Sequence, residues 1–464
     1  QIPACHREKS IERTMKSLLR TIFQIVVGAI ARVRFYPFFS FVLRRAISEH
    51  PDNVDSCDEN TITVLALSPE GFRRDLEVLA KSGRFRVLLL PSKWPYRIMY
   101  LFYPRGLRAM DYLNPASDSK TMSQKKALHR FYLKWLPGLL SSCGIDCVVS
   151  YHIRVPMDVD FGMVADQAGF PYIVMYREGL FASGPRLRGK MPILFERFGF
   201  WGSHLIVHNE SCRDLTIETG LAAPDKVSAL GCLRMDEFLQ TIKAVPERGH
   251  DGPRRVAYFP FSLKDYPGAS FPLDVFFPMF CDIHVTLARL AADNPDIEVV
   301  FKPKPKVLKG WRIHLDMAFA EAGIDPDAIP NLIIDANLDA QELILNSDVV
   351  VGLNTTTLLE AGIAKKPVVV TFFDELQQKA YVDSIKFVEA FDYLDVAGNS
   401  SDMVRLIKGR ILDGEISEED LAGRREMFAK YVSDPDGGAL DKYSQAIANL
   451  VSEGSAVTSP AGRA

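Results

Sequence analysis

Short apolar runs alternate with amphipathic stretches along most of the chain, at the spacing of strand–helix–strand units. Thr61–Ser68 predicts a buried strand, Glu70–Ser82 predicts a helix that ends at Gly83, and Arg84–Pro91 predicts the next strand. A helix that joins two neighbouring strands makes them parallel, so these residues indicate a parallel sheet. Further strands are predicted at 146–151, 172–176, 203–208 and 226–230, with helices near 123–141 and 161–168.

A polar break that contains glycine and proline, Glu247–Pro253, separates this series from a second one. The fold class that follows is α/β, with two Rossmann-like doubly wound domains at 61–246 and 254–436 that face a central cleft. A terminal helix at 437–453 and a disordered tail at 454–464 are expected after them. In the second series, strands are predicted at 255–260, 297–302, 331–334, 349–352 and 367–371, and helices at 274–292, 311–322, 339–346, 358–364, 401–412 and 417–431.

The first 50 residues differ from the rest of the chain in charge, with nine arginines and lysines against three glutamates. Two apolar runs in this segment, Ile22–Ala31 and Phe35–Leu43, are each too short to span a bilayer. A basic segment with apolar faces suits an anionic membrane interface. We therefore expect residues 1–50 to be a basic amphipathic segment that attaches the protein to the inner face of the cytoplasmic membrane. The alternative is that these residues are helices that pack on the body.

Composition and charge narrow the class of protein without identifying it. The 464 residues are 47% hydrophobic and carry a formal net charge of −3, which argues against nucleic acid as a partner. The seven cysteines are scattered and show no paired metal-ligand spacing, so a reducing, cytoplasmic location is expected and a metal is not.

Polar residues follow three strands of the second domain, at the ends where open α/β sheets bind ligands. Cations at two of these ends and the free N–H groups of a helix start at the third predict a phosphate site. Glu360, inside that helix, is placed to accept hydrogen bonds from ribose hydroxyls. The alternative is that the threonines only cap the helix and the lysines are solvated. The residues concerned are Ser262, Lys264 and Asp265 in FPFSLKDY, Lys302 and Lys304 in FKPKPK, and Asn354, Thr355, Thr356 and Thr357 in the turn.

This arrangement resembles the nucleotide-binding half of GT-B glycosyltransferases over residues 61–400. The similarity is greatest to bacterial surface-polysaccharide enzymes with cytidylyl donors, such as sialyl- and Kdo-type transferases and CDP-glycerol polymerases. Those families have a histidine in the basic loop where this chain has Lys302-Pro-Lys304-Pro, which leaves the donor base open. The motifs that carry the resemblance are this loop, the threonine turn followed by Glu360, and Gly231, Arg234 and Asp236 as a Gly-x-x-Arg-x-Asp at the end of the first domain.

The resemblance implies roles for several residues. Lys302, Lys304 and the threonine turn would hold the donor phosphate, Glu360 the ribose, and Arg234 and Lys264 the cleft. Glu178-Gly179 resembles the acidic motif that supplies the base in sialyl-type transferases, so Glu178 would deprotonate the acceptor hydroxyl. The alternative for Glu178 is a structural ion pair with Arg177.

Other polar residues at strand ends of the first domain have a structural interpretation beside the catalytic one. Asp158 and Asp160 are rival acids, and we expect them to be N-cap residues of the helix that starts near Phe161. His152 and His208 also end strands, where a single histidine is more often a packing residue than a catalyst.

The function that the sequence favours is transfer of a sugar from a nucleotide donor, in particular a CMP- or other pyrimidine nucleotide sugar. The acceptor would be a surface polysaccharide or a lipid-linked glycan, and no cofactor is expected beyond the nucleotide-sugar co-substrate. The alternatives are a CDP-polyol phosphotransferase, a UDP-sugar 2-epimerase and a non-catalytic glycan-binding or export partner. No HExxH, GxSxG, P-loop or GxGxxG occurs at a position that would support protease, hydrolase, kinase or dehydrogenase chemistry.

Overall fold

Two sheets, each flanked by helices, organise the chain. We analysed a computed structural model that describes residues 33, 35–54, 60–104, 106–244, 252–261 and 273–458. The first sheet has seven strands and the second has six, and all neighbouring strands are parallel except the first one at the edge. The expected α/β fold, with two Rossmann-like doubly wound domains that face a central cleft, is confirmed. Most of the predicted N-terminal segment lies outside the described residues.

The N-terminal sheet has the strand order β1-β3-β2-β4-β5-β6-β7. Its central strands are runs of valine, leucine and isoleucine whose side chains are buried on both faces, as expected for a parallel sheet covered on both sides. The strands are β1 Ser48–Glu49, β2 Ile62–Leu67, β3 Phe85–Leu90, β4 Cys147–Ser150, β5 Tyr172–Met175, β6 His204–Val207 and β7 Val227–Ala229.

Ten helices surround this sheet or follow it within the described residues. None of the helices that the structure describes combines the length and the apolar character needed to cross a lipid bilayer. The ten are α1 Tyr36–Ala46, α2 Asp75–Lys81, α3 Lys93–Met99, α4 Ala109–Leu113, α5 Lys120–Leu133, α6 Leu136–Ser142, α7 Pro156–Gln167, α8 Pro185–Phe198, α9 Glu210–Glu218 and α10 Leu233–Ala244.

The C-terminal sheet has the order β10-β9-β8-β11-β12-β13, so the winding reverses between β8 and β11. Its strands are β8 Arg254–Phe259, β9 Ile297–Phe301, β10 Leu332–Ile334, β11 Val349–Gly352, β12 Val368–Val370 and β13 Asp395–Val396. Its helices are α11 Leu273–Asp293, α12 Leu308–Ala322, α13 Ala340–Leu345, α14 Thr357–Ile363, α15 Asp374–Gln377, α16 Lys379–Val382, α17 Ser400–Leu412, α18 Glu418–Tyr431 and α19 Ala439–Thr458.

Helix α1 packs one face on the N-terminal domain. Phe39 and Leu43 are buried, and the Phe39 ring lies 4.8 Å from that of Phe131 and 6.0 Å from that of Trp135. For this part of the basic segment the structure therefore shows packing on the body. It leaves Phe41 on the opposite face, 61% exposed.

Three predicted helices of the N-terminal domain have different bounds. The helix expected at 70–82 is a 3-10 turn, Pro69–Gly71, followed by α2, because Arg73 between them adopts a left-handed φ of 59° that no helix accommodates. The helix expected near 123–141 is divided into α5 and α6, where Pro137 in the first turn of α6 has no N–H to donate. The helix expected at 161–168 begins at Pro156.

The last helix crosses back from the C-terminal domain to the N-terminal sheet. The Asp236 carboxylate accepts hydrogen bonds from the backbone N–H groups of Ala439 at 3.1 Å and Leu440 at 2.9 Å, at the start of α19. Tyr443 and Ile447 of α19 are buried in the N-terminal core. Asp236 of the Gly-x-x-Arg-x-Asp motif thus anchors the helix that links the domains. α19 continues to Thr458, past the end expected for it.

Candidate active site

The carboxyl ends of β8, β9 and β11 lie side by side at the reversal point of the C-terminal sheet, where strand β8 pairs with both β9 and β11. This is the place at which open α/β sheets form ligand crevices. The loop after β8, with Ser262, Lys264 and Asp265, lies outside the described residues. The other two loops carry the predicted phosphate ligands.

The two lysines of the FKPKPK loop occupy different surroundings. Lys302 is half-buried, and its Nζ donates a hydrogen bond to the backbone oxygen of Ala336 at 3.3 Å. Burial lowers the pKa of Lys302, and the carboxylates of Asp339 and Asp335 oppose this shift. Lys304 is exposed. Lys302 therefore connects the loops after β9 and β10, and Lys304 is the more accessible cation.

The threonine turn contacts the start of helix α14 through Thr355, whose hydroxyl accepts a hydrogen bond from the backbone N–H of Thr357 at 3.4 Å. Thr356 stands at the N-cap position but makes no side-chain cap bond, and its φ of −61° is helical. The hydroxyl oxygens of Thr355 and Thr357 lie 2.9 Å from one another instead. The capping interpretation therefore applies to Thr355 and not to Thr356, and the phosphate contact of the turn stays a prediction.

Lys386 is a site residue that the sequence analysis missed. The carboxamide oxygen of Asn354, in the threonine turn, accepts a hydrogen bond from the backbone N–H of Lys386 at 2.8 Å. Burial and the nearby charge of Lys304 lower the pKa of the Lys386 ammonium to about 8, and the charge of Glu178 in the other domain opposes that shift. The backbone of Lys386 is therefore fixed to the threonine turn, at one wall of the candidate site.

Backbone hydrogen bonds join the two domains beside Lys386. The backbone N–H of Phe387 donates to the oxygen of Ser183 at 2.6 Å, and that of Arg186 donates to the oxygen of Asp383 at 3.0 Å. A Cβ at Gly184 would come within 2.8 Å of the backbone oxygen of Ile385, so only glycine permits this approach. The segment that follows Glu178 is thereby held against the C-terminal domain.

Glu178 stands after β5 at the edge of the cleft. Its Oε1 lies 3.2 Å from Nε of Arg177, so the ion pair forms, and its side chain is nevertheless 42% exposed. Arg177 is itself held by a 2.9 Å hydrogen bond to the backbone oxygen of Gly71. A Cβ at Gly179 would lie 2.6 Å from Nδ1 of the buried His208, which accounts for glycine next to the acid. A carboxylate with this exposure can reach a hydroxyl in the cleft.

Arg234, in the N-terminal domain, connects Asp75 of that domain with Glu360, the residue predicted to bind ribose. Its guanidinium lies 3.4 Å from the buried carboxylate of Asp75, and its charge also acts on Glu360. Burial raises the pKa of Glu360, while Arg234 and a hydrogen bond from Thr356 oppose the shift. Arg73 is exposed beside this group, where the charges of Arg234 and Glu178 act on it. The structure thus brings Arg234 and Glu360 together, and it adds Arg73, which no sequence pattern indicates as a site residue.

Backbone strain concentrates around the same cleft. Five residues other than glycine have positive φ within the described chain, and all but Lys365 lie in loops that carry or contact residues of the candidate site. Left-handed backbone at such residues costs free energy and recurs at functional sites. The four are Ser68 (φ 50°), Arg73 (φ 59°), Asn354 (φ 56°) and Phe387 (φ 43°).

Asp158 and Asp160 are not N-cap residues. The N-cap of α7 is Val155, and both aspartates are fully buried inside the helix. Asp158 accepts a hydrogen bond from the Ser68 hydroxyl at 2.8 Å. Asp160 lies 2.7 Å from Nε2 of His129 and 3.0 Å from Nζ of Lys125. Neither carboxylate reaches the cleft surface in this structure.

His152 is held by local contacts. Its Nδ1 accepts a hydrogen bond from the backbone N–H of Arg154 at 3.0 Å, and its ring packs edge-on against Tyr176 at 4.8 Å. Burial lowers the pKa of His152 to about 3, so its ring is neutral. These contacts agree with the packing interpretation.

The buried Asp158 predicts a pH-dependent stability. Burial raises its pKa from 3.8 to about 8, although the Ser68 hydrogen bond opposes the shift. Between these values the folded state binds one proton more than the unfolded state, so the free energy of unfolding falls by about 1.4 kcal/mol for each pH unit gained. Asp158→Asn cannot ionise, and its oxygen still accepts from Ser68. We expect its denaturant midpoint to rise relative to the wild type between about pH 5 and pH 8; a pH-independent difference would contradict this assignment.

No protein-family model and no curated protein sequence matches the chain. Solved structures with a related arrangement include the wall teichoic acid polymerase TagF, with 13% identity over 95% of this chain and 98% of that one and a TM-score of 0.48. Another is UDP-GlcNAc 2-epimerase from Neisseria meningitidis bound to UDP-GlcNAc, with 13% identity over 85% of this chain and 99% of that one and a TM-score of 0.44. A third is HepE of Anabaena in complex with UDP and glucose, with 13% identity over 84% of this chain and 100% of that one and a TM-score of 0.44. Identities this low do not assign an activity to this chain.

Proposed function

We propose that the protein is a glycosyltransferase that moves a sugar from a nucleotide donor, in particular a pyrimidine nucleotide sugar, onto a surface polysaccharide or a lipid-linked glycan. One observation carries the proposal. The segment after Glu178, an accessible carboxylate of the N-terminal domain, is hydrogen-bonded through Ser183 to Phe387 of the C-terminal domain. The neighbour of Phe387 is the half-buried Lys386, whose backbone N–H is bonded to Asn354 of the threonine turn. A base and a cationic phosphate site on opposite walls of a cleft are the two parts that glycosyl transfer from a nucleotide requires.

In this mechanism Glu178 takes the proton from the acceptor hydroxyl as its oxygen attacks the anomeric carbon. A new carbon–oxygen bond forms there, and the bond between that carbon and the donor phosphate breaks. The phosphate leaves with the electron pair, and its negative charge is stabilised by the ammonium groups of Lys304 and Lys386. The chemistry needs no metal, because these groups supply the positive charge.

Glu360 and Arg234 support the donor end of the site in this proposal. Glu360 accepts a hydrogen bond from Thr356, which fixes its carboxylate at the base of the turn. The charge of Arg234, in the N-terminal domain, compensates the buried carboxylate of Glu360 across the domain boundary. Arg234 also pairs with Asp75 of its own domain. Ribose hydroxyls would donate to the second oxygen of Glu360, so ribose binding and domain contact depend on one network.

Titration calorimetry with CMP, CDP and UDP tests the donor site. We expect at least one of the three to bind, and Lys304→Met to weaken that nucleotide about tenfold, since a charge-assisted hydrogen bond to phosphate contributes about 1.5 kcal/mol or more. Lys306→Met, in the same loop and equally exposed, is the matched control and should bind as the wild type does. Absence of binding by all three nucleotides would refute the proposal, and equal losses in both variants would refute the role of Lys304.

A further inference from the structure

One outer face of the N-terminal domain is formed by helices that share a single core. α1, α3, α5 and α8 contribute buried residues to the cluster that covers one side of the N-terminal sheet, among them Phe39, Ile98, Phe131 and Phe195. Contacts link three of them: Phe39 of α1 packs on Phe131 of α5, and Lys125 of α5 lies over the ring of Tyr112. Asn114, close to Tyr112, donates a hydrogen bond to the backbone oxygen of Glu196 in α8, so the outward sides of these helices form one surface. We call this surface, made of the exposed residues of 35–46, 93–134 and 185–201, the helical face.

The helical face is basic although the chain as a whole is acidic. Its exposed arginines and lysines outnumber its exposed acidic residues by ten to three among the described residues, whereas the whole chain has a net charge of −3. Lys126, Arg130 and Lys134 recur at every fourth position, so they form one stripe along α5. The exposed basic residues are Arg44, Arg45, Lys93, Arg108, Lys120, Lys126, Arg130, Lys134, Arg188 and Arg197.

Exposed apolar side chains lie among these charges. Phe35 is 55% exposed, Phe41 is 61% exposed and Ile193 is 56% exposed. The Arg45 guanidinium lies 5.6 Å from the Phe41 ring centre, so an aromatic ring and a cation are presented together. Large apolar side chains that protrude between basic residues are typical of surfaces that enter the headgroup region of a bilayer.

We infer that the helical face docks on the anionic surface of a lipid bilayer. The stripe on α5 complements anionic headgroups, and Phe35, Phe41 and Ile193 would enter the boundary between headgroups and acyl chains. Residues 1–34 precede α1 directly and add seven basic residues against two acidic ones in the sequence. A nucleic acid would use the charges but not the protruding aliphatic and aromatic side chains, so a membrane accounts for more of the surface.

Docking on this face also constrains the acceptor. Helix α8 begins at Pro185, directly after the segment that carries Glu178 and that contacts the C-terminal domain through Ser183. If the proposed function holds, one helix connects the segment of the base to the docking surface, which favours a lipid-linked acceptor over a free polysaccharide. The docking itself does not depend on the proposed function.

Vesicle flotation with the full-length protein tests the docking. The vesicles are pure phosphatidylcholine and an equal mixture of phosphatidylcholine and phosphatidylglycerol. We expect binding to the mixed vesicles only, binding that falls with added salt, and a partition coefficient at least tenfold lower in the triple variant K126E/R130E/K134E. The triple variant R405E/K408E/K365E, on the C-terminal domain, is the matched control and should bind like the wild type.

The outcomes separate docking from catalysis. Wild-type protein that stays unbound, binds both vesicle types equally, or binds an oligonucleotide in preference to the mixed vesicles would overturn the inference. So would a K126E/R130E/K134E variant that partitions like the wild type. Nucleotide affinity, measured by calorimetry on the same preparations, should be unchanged in this variant, which shows that it is folded. Retained vesicle binding without nucleotide binding would refute the proposed function and leave the docking surface in place.

Discussion

Glu178→Gln is expected to slow sugar transfer by a factor of about 10² to 10⁴, because a positioned general base contributes that much to the rate. Measured well below the pKa of Lys386 of about 8, where that lysine stays charged, nucleotide affinity should remain near the wild-type value. The amide has the shape of the carboxylate and can still accept a hydrogen bond from Arg177, which lies 3.2 Å away in the wild type. It cannot take the proton of the acceptor hydroxyl. Loss of rate without loss of binding is therefore the specific signature of the base.

Asp158→Asn is the control for this experiment. Asp158 was the rival acid in the sequence, but it is fully buried and hydrogen-bonded to Ser68. Its substitution should leave transfer near the wild-type rate once stability is taken into account. A loss of transfer in Asp158→Asn together with an active Glu178→Gln variant would reverse the two assignments.

The regular parts of the site could be predicted from the sequence because they follow local patterns. The strand predicted at Val349–Gly352 occurs with those bounds, and the threonine turn and a helix follow it. The rule that ligands bind at strand ends then points to the loops that the structure brings together. Buried strands in a parallel sheet carry continuous apolar runs, which are the clearest signal that a sequence contains.

The irregular parts of the site could not be predicted, since tertiary contacts place them there. Lys386 lies in a segment without periodicity and reaches the site through the hydrogen bond of its backbone to Asn354. Arg73 interrupts the helix that the sequence predicts at 70–82. Arginine rarely adopts the left-handed backbone conformation found there. The sequence predicts Asp160 as a helix cap, but its carboxylate is buried against Lys125, and this pair joins two different helices. Such contacts cannot be inferred from the type and spacing of residues.

The apolar run Phe35–Leu43 shows how one pattern can have two uses. The sequence offered packing and membrane attachment as alternatives for it. The structure buries Phe39 and Leu43 in the core and leaves Phe35 and Phe41 exposed beside the basic residues. Helical periodicity divides the same run between a face that fixes α1 on the domain and a face that is available to a bilayer. Packing is therefore shown for the buried residues of this run, and membrane attachment stays our proposal for the exposed ones.

Lys386→Met is expected to weaken binding of a nucleoside diphosphate by about ten- to a hundredfold, because a buried ammonium that contacts phosphate contributes about 1.5 to 3 kcal/mol. The lysine also predicts how affinity varies with pH. Burial and the charge of Lys304 lower its pKa to about 8 in the free protein, and the negative phosphate raises that pKa in the complex. Below pH 8 the ammonium is already charged, so affinity is constant. Above pH 8 binding must take up a proton, so affinity falls by up to tenfold per pH unit until the pKa of the complex is reached.

Calorimetry with CDP or UDP at a series of pH values measures this dependence. Lys386→Arg keeps a positive charge throughout and should bind with an affinity that does not change between about pH 7 and pH 9. Lys386→Met should bind weakly and also without a pH dependence in that range. The phosphate groups of the nucleotide are fully ionised above about pH 7.5. A change of affinity with pH above this value therefore arises from titration of a group on the protein. If the wild-type slope persists in Lys386→Met, another group titrates on binding and Lys386 is not the cation that receives the leaving phosphate.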